Sequence, residues 1–239
     1  MALLKWDEAD KRFYETGTSK LALYVMSDGE YGAGVAWNGV TAFTESPSGA
    51  EVTAVYADNI KYLNLVSAEE FGATIEAIQY PTEFNACMGI AIPKPGVYIS
   101  QQARKTFGLA YKTNIGSNED GDSHSYKIHL VYGCYATPSE KAYTTVNDSP
   151  ENMTFSWTLT TTPVEVTGYK PIAHLEIDAR YADPDKLKDF EEILWGRDAD
   201  VEQGITALTP TLPLPDDVKD YLTPDTTPDD PEEEQQGNG

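Results

Sequence analysis

Histidine and cysteine are nearly missing from this chain, with three of one and two of the other in 239 residues. Cys87 and Cys134 are far apart in sequence, and a single pair in a chain this long is no disulfide framework, so both are expected as buried free thiols. A metal site wants two or three histidines converging with a carboxylate. His124 and His129 are five apart across an expected loop–strand boundary, so one strand would not aim them at one point. His174 has only Glu176 as a neighbour on its own strand face. The expectation is an exposed polar face with no third ligand, and no metal. Apolar runs are short, far from the roughly 18 residues of a membrane span. Residues 1–20 are mixed and charged, unlike a secretion leader. The protein is therefore expected to be made in the cytoplasm and to stay soluble.

Positive charge is also scarce. Seventeen Lys and Arg stand against 39 Asp and Glu, a net charge of -22. Gripping phosphates needs clustered cations that release counterions, so nucleic-acid binding is excluded. Anionic lipid headgroups find nothing to attract them either. Charge far from zero keeps chains apart in solution.

Catalytic motifs are missing too. Gly-x-Ser-x-Gly, Gly-x-Gly-x-x-Gly, the phosphate-binding Gly-Lys-Ser/Thr loop and His-Glu-x-x-His do not occur. Asn118-Glu-Asp-Gly-Asp122 lacks the spacing and closing Glu of a calcium loop and reads as a solvated turn. Glu69-Glu70 and Glu191-Glu192 lie in charged stretches and would serve a glycosidase only if a cleft joined two of them. Asn147-Asp-Ser and Asn152-Met-Thr fit a glycosylation pattern that has no meaning without secretion. No catalytic residue, cofactor or enzymatic activity is expected.

What is present is material for a core: 40% hydrophobic residues and 11% aromatics. Residues 1–20 read as an N-terminal arm. Leu21-Ala-Leu-Tyr-Val-Met26 is a compact strand-type run ending at the turn signal Ser27-Asp-Gly29, and a second run covers 35–43. Phe71, Ala73, Ile75 and Ala77 alternate with polar residues, as do Tyr126, Ile128, Leu130 and Tyr132, then Phe155, Trp157 and Leu159, then Ala173, Leu175 and Ile177. Period two is the mark of half-buried strands. Pro81 and Gly89 bracket a short helix with Phe84, Cys87 and Met88 on one face. Residues 114–125 read as a polar loop. Asp183, Pro184 and Gly196 supply cap, first turn and stop for a helix whose apolar stripe is Leu187, Phe190, Ile193 and Leu194. A β domain is thus expected over 21–204, a Pro-rich C-terminal arm with a helical turn over 205–222, and a disordered acidic tail over 223–239. The fold class is mainly β, an antiparallel sandwich or barrel with one or two flanking helices.

The stretch from Thr44 to Asn59 reads as a long exposed loop. Loops on β scaffolds usually carry function. Glu45, Ser46, Pro47, Ser48, Gly49, Glu51, Val52, Val55, Tyr56, Asp58 and Asn59 mix charge, turn formers and apolar groups in the manner of a contact surface. A hairpin returning its apolar residues to the core fits the same pattern equally well.

A series of short stretches runs through the chain. It comprises Trp37-Asn-Gly-Val, Glu45-Ser-Pro-Ser-Gly-Ala-Glu51, Tyr56-Ala-Asp-Asn-Ile-Lys-Tyr62, Thr74-Ile-Glu-Ala and Tyr80-Pro-Thr-Glu-Phe. Further on are Phe107-Gly-Leu-Ala-Tyr-Lys-Thr113, Tyr126-Lys-Ile-His-Leu-Val-Tyr132, Pro138-Ser-Glu140, Asn147-Asp-Ser-Pro-Glu151, Thr154-Phe-Ser-Trp157, Thr161-Thr-Pro-Val164 and Ile177-Asp178 before the Asp183 helix. In order and spacing, over roughly residues 20–196, the series resembles the major tail proteins (tail tube proteins) of long-tailed siphophages of Gram-positive bacteria. The resemblance implies a β domain of tail-tube type with a flanking helix. It further implies hexameric rings stacked into a hollow tube through which DNA passes to the host. It carries no catalytic residues. The partners it implies are other copies of the chain, with tape measure and tail terminator proteins, and DNA only in transit. The location would be the virion tail, the protein being made in the host cytoplasm, and the 44–59 loop would join successive rings. Some relatives append an immunoglobulin-like domain where this chain has its acidic tail. A carbohydrate- or receptor-binding β-sandwich of a phage or bacterial surface is the alternative, resting on the 15 tyrosines.

Overall fold

In the computed structural model, residues 3–6, 8, 11–143, 145, 152–200 and 204–223 are described. In chain order the strands are β1 (Phe13–Ser27), β2 (Glu30–Tyr31), β3 (Val35–Ala36), β4 (Val40–Glu45), β5 (Ser48–Gly49), β6 (Val52–Ala57), β7 (Ile60–Val66), β8 (Glu69–Glu70) and β9 (Gly72–Ala77). After helix α1 (Phe84–Cys87) come β10 (Ala91–Lys94), β11 (Val97–Ile99), β12 (Phe107–Ser117), β13 (Gly121–Ala136), β14 (Phe155–Thr161) and β15 (His174–Asp178). Helices α2 (Pro184–Trp195) and α3 (Pro215–Leu222) follow. The fold is mainly β and antiparallel, as the alternating strands imply.

The main sheet runs β2-β1-β12-β13-β14-β9-β4, with β3 also on β1 and β15 also on β13. It folds over on itself. The inner faces of β1, β12 and β13 meet those of β9 and β14 around Leu23, Trp37, Ile75, Phe84, Leu109, Val131 and Trp157. A second core lies on the other side of β1, β12 and β13, where Tyr24, Ala110, Ile128, Leu130 and Tyr132 pack beneath Leu187, Phe190 and Leu194 of α2 and Val218 of α3. Both faces of the central strands are covered, which is why Leu21–Tyr24 and Phe107–Tyr111 are continuously apolar and continuously buried. Each fully buried large side chain contributes about 1.5–3 kcal/mol.

The strand β13 serves both layers. Its residues 127–131 pair with β15 and its residues 134–136 with β14. Gly133 stands between the two sets at φ +58, and a Cβ there would lie 2.2 Å from the Thr162 carbonyl oxygen. Only glycine fits this crossover without strain.

The helix α2 begins as its sequence signals. Asp183 accepts from the backbone N–H groups of Asp185 and Lys186, Pro184 takes the first turn, and Gly196 closes the helix at φ +81. The helical layer is tied to the sheet by polar tips on buried rings. Tyr24 donates to the Leu194 carbonyl (2.5 Å) and Tyr132 to the Pro213 carbonyl (3.0 Å). None of the helices among the described residues is long and apolar enough to cross a membrane.

Several expectations are corrected. The N-terminal arm of 1–20 is partly strand, because residues 13–20 belong to β1 and pair with β12. The polar loop of 114–125 shrinks to the turn 118–120, since β12 and β13 carry their ladder out to Ser117 and Gly121. The short helix starts at Phe84, after a turn at Thr82 and Glu83. The Pro-rich segment docks rather than trails: Leu212 and Val218 complete the second core. Of the expected acidic tail 223–239, all but Thr223 lies outside the described residues, as does the stretch 147–151.

Candidate functional site

Between β4 and β9 the chain leaves the main sheet. The segment is a hairpin arm, not a loop. β5 and β8 pair at its base, β6 and β7 beyond, and Asp58 and Asn59 close the tip at φ +51 and +61, the backbone of a tight hairpin turn. At the base, Ser46 N–H donates to the Gly72 carbonyl (2.8 Å), and farther out Ser67 N–H donates to the Glu51 carbonyl (3.1 Å).

The arm keeps its apolar residues outside. Val52, Tyr56, Ile60, Tyr62, Leu65 and Val66 are each more than half exposed. Neither of the two possibilities open in the sequence describes this: the segment is a hairpin, yet its apolar side chains do not return to the core. Charge is sparse on it as well. From Val52 to Val66 the only ionisable acid and base are Asp58 and Lys61, in a chain of net charge -22. A two-stranded hairpin without a packed face is marginal in water, and both its edges carry unpaired backbone groups.

Of the residues expected to form the contact, Ser48 and Gly49 lie in β5, Val52, Val55 and Tyr56 in β6, and Asp58 and Asn59 at the tip. Ser46, Pro47 and Glu51 connect these pieces. Ile60, Tyr62, Leu63, Leu65 and Val66 on the returning strand escaped the sequence reading, although the alternation of Ile60 and Tyr62 was a signal for a second strand.

Glu45 is not part of the outer arm. It ends β4 with its side chain partly exposed, and Tyr111 Oη donates to Oε1 (2.5 Å). The same oxygen is 3.7 Å from His129 Nδ1 and 4.0 Å from His174 Nε2. The two histidines were expected on a solvent-facing strand surface with no third ligand. That expectation fails because the folded-over sheet roofs this face. The pairing of β13 with β15 sets His174 opposite Val131 and Glu176 opposite His129, and the end of β4 closes over them. His129 Nδ1 is 3.2 Å from His174 Nε2, while its Nε2 is 2.9 Å from Thr113 Oγ1. The His129 ring stacks on Tyr111 and the His174 ring on Phe71. Burial holds both imidazoles below their ordinary pKa, against the opposing pull of Glu45 and Glu176. Lys127 links Glu15 (2.5 Å) and Glu176 (2.9 Å) at the edge of the cluster, and the Glu15 bond raises its pKa.

The other sequence candidates stay apart. His124 contacts Asp120 (2.8 Å) and lies over Phe13, away from this cluster. Glu191 pairs with Lys112 (3.4 Å) and Glu192 with Arg197 (2.5 Å), while Glu69 and Glu70 lie exposed in β8. Both thiols are buried, and burial pushes Cys87 up to about 12. No family model matches the chain, and no curated protein matches it.

Proposed function

We propose that the chain is a structural subunit that assembles with copies of itself, as a tail tube protein of a long-tailed phage does. The observation that carries this reading is the arm: an apolar, open-edged hairpin projecting from a two-core β domain, its outer part Val52–Val66 holding one acid and one base. The six side chains more than half exposed would each contribute on the order of 1–2 kcal/mol when covered. The strand edges add backbone hydrogen bonds at a register the partner's strand dictates. In stacked rings the arm reaches out of the ring plane to the next ring, while sheet edges close each ring. An excess of 22 negative charges supports the same reading, since a tube wall of that sign lets DNA slide past without binding it.

The test is excision of the arm. Gly49 and Glu69 are ladder partners, so replacing residues 50–68 with Asn-Gly closes the hairpin with a two-residue turn. The intact chain is expected to form rings or tubes in electron micrographs as concentration rises. The excised chain is expected to keep a cooperative melt and a mainly β circular dichroism, reduced only by the strands removed, and to give no tubes. Tubes of normal length from the excised chain, or an intact chain that stays monomeric and binds glycans, would refute the proposal.

A further inference from the structure

We infer that Glu45, His129 and His174 form a binding site for a transition-metal dication of the zinc type. The three donor atoms come from β4, β13 and β15, segments far apart in sequence, yet all lie within 4.8 Å of one another. Zinc bonded at about 2.0–2.1 Å in a tetrahedron sets its ligand atoms roughly 3.3–3.4 Å apart. The two imidazole nitrogens are already at 3.2 Å. Bringing Glu45 in from 3.7 and 4.0 Å takes less than an ångström at a half-exposed side chain. Glu176 offers a fourth donor, its Oε2 lying 3.9 Å from His129 Nδ1. With both carboxylates engaged the ion's charge is balanced locally, and both ligand types suit zinc.

The surroundings are those that metal ligands require. Thr113 Oγ1 lies 2.9 Å from His129 Nε2; in the metal-bound form the imidazole carries its proton on Nε2, donates it to that hydroxyl and turns the Nδ1 lone pair toward the cluster. Tyr111 donates to Glu45 and fixes its carboxylate in the same way. The His129–His174 hydrogen bond gives way on binding: with His174 protonated on its own Nδ1 and His129 on Nε2, both facing nitrogens present lone pairs, and two neutral imidazoles release no net proton. His129 is itself almost fully buried, so its orientation is set by the fold before any ion arrives. A bound ion would tie the end of β4, where the arm departs, to β13 and β15.

The experiment uses the full chain with Co2+ as a spectroscopic probe and Zn2+ in calorimetry. One equivalent of Co2+ is expected to give the visible absorption of a four-coordinate ion, displaced by Zn2+, and Zn2+ is expected to raise the melting temperature. His174→Gln and Glu45→Gln are each expected to weaken Zn2+ binding by roughly 100-fold or more, beyond the 10- to 100-fold typical of a lost supporting hydrogen bond. Tyr111→Phe is expected within that lesser range, and His124→Gln to change nothing. If a ligand variant fails to fold, paramagnetically shifted signals from two imidazole rings in the Co2+-loaded intact chain carry the same information. No uptake at micromolar Zn2+, a six-coordinate Co2+ spectrum, absence of the two imidazole signals, or equal affinity in the intact chain and His174→Gln would overturn the assignment.

Discussion

Gly133→Ala isolates the crossover of β13 from one layer to the other. Gly133 adopts φ +58, and a non-glycine residue held there costs roughly 1–3 kcal/mol. The added methyl would also stand 2.2 Å from the Thr162 carbonyl oxygen and 3.1 Å from its carbon. That contact is with backbone, so no side chain can swing aside. Relieving it means moving β13 from the segment after β14 and stretching the Thr162 N–H bond to the Gly133 carbonyl, now 3.0 Å, which is worth about 0.5–1.5 kcal/mol. The total is roughly 1.5–4.5 kcal/mol against a whole-domain stability of about 5–15 kcal/mol. Gly96→Ala is the internal comparison. Gly96 turns the β10–β11 hairpin at φ +83 with nothing within 4 Å, so it carries the conformational cost alone. Urea unfolding followed by fluorescence of the buried Trp37 and Trp157 reads both variants. At a slope of about 1–3 kcal/mol per molar, Gly133→Ala should lower the midpoint by on the order of 1 M or more, and Gly96→Ala by clearly less. Equal losses in the two variants would show that crowding against Thr162 has no part in fixing Gly133.

Further outcomes are expected from other regions. Tyr62→Ser with Leu65→Ser should leave the unfolding free energy within about 0.5 kcal/mol of the intact chain, because neither side chain is in a core, while abolishing tubes; a large stability loss would place the arm in the folding unit. Asp183→Ala removes the acceptor of the Asp185 and Lys186 N–H groups and should cost about 1 kcal/mol in the same urea titration, with no loss refuting the capping role. Alkaline pH should destabilise the protein. Cys87 ionises near its ordinary 9.0 when unfolded but near 12 when folded, so above pH 9 the unfolded chain binds fewer protons and stability falls across that window. Burial raises Tyr24 and Tyr132 from 10.0 in the same direction, extending the fall. Melting curves at pH 8 and 10.5 check this, and both thiols should resist a disulfide reagent at pH 8 until denaturant is added.

Strands with one wet face were legible in the sequence. β14 alternates because Trp157 and Leu159 enter the inner core while Ser156, Thr158 and Thr160 face water. The α2 helix was legible because its cap, proline and glycine act locally. β6 and β7 were harder to read: Ile60 and Tyr62 alternate around Lys61, but with neither face in a core the apolar side chains stay exposed, which the alternation does not announce. On β13 the alternation misled: Ile128 and Leu130 pack under the helices as expected, but the opposite face is covered too, so His129 is buried rather than solvated. The Glu45–His129–His174 cluster was hidden for a different reason. Its members are 84 and 45 residues apart, and only the β13–β15 register and the closure of β4 bring them together. Pairing the two alternating strands antiparallel would have put His129 beside the His174–Glu176 edge. Nothing local points to Glu45.

The order of the sheet also sets a schedule for synthesis. The apolar run Ala22–Val25 emerges early, yet its ladder partners Phe107–Ala110 are made some 85 residues later. At roughly 5–20 residues per second a ribosome needs on the order of 4–17 s to supply them. The face of β1 that packs under helices waits longer still, until Leu194 and Leu212 are made. Throughout that interval the nascent chain exposes a sticky, unpaired strand, followed at once by an arm that is apolar by construction. Neighbouring ribosomes on one message would hold many such strands side by side. Yield in the cell should therefore depend on holdase chaperones that shield β1, and slowing translation before residue 107 should cost more soluble protein than slowing it after 222.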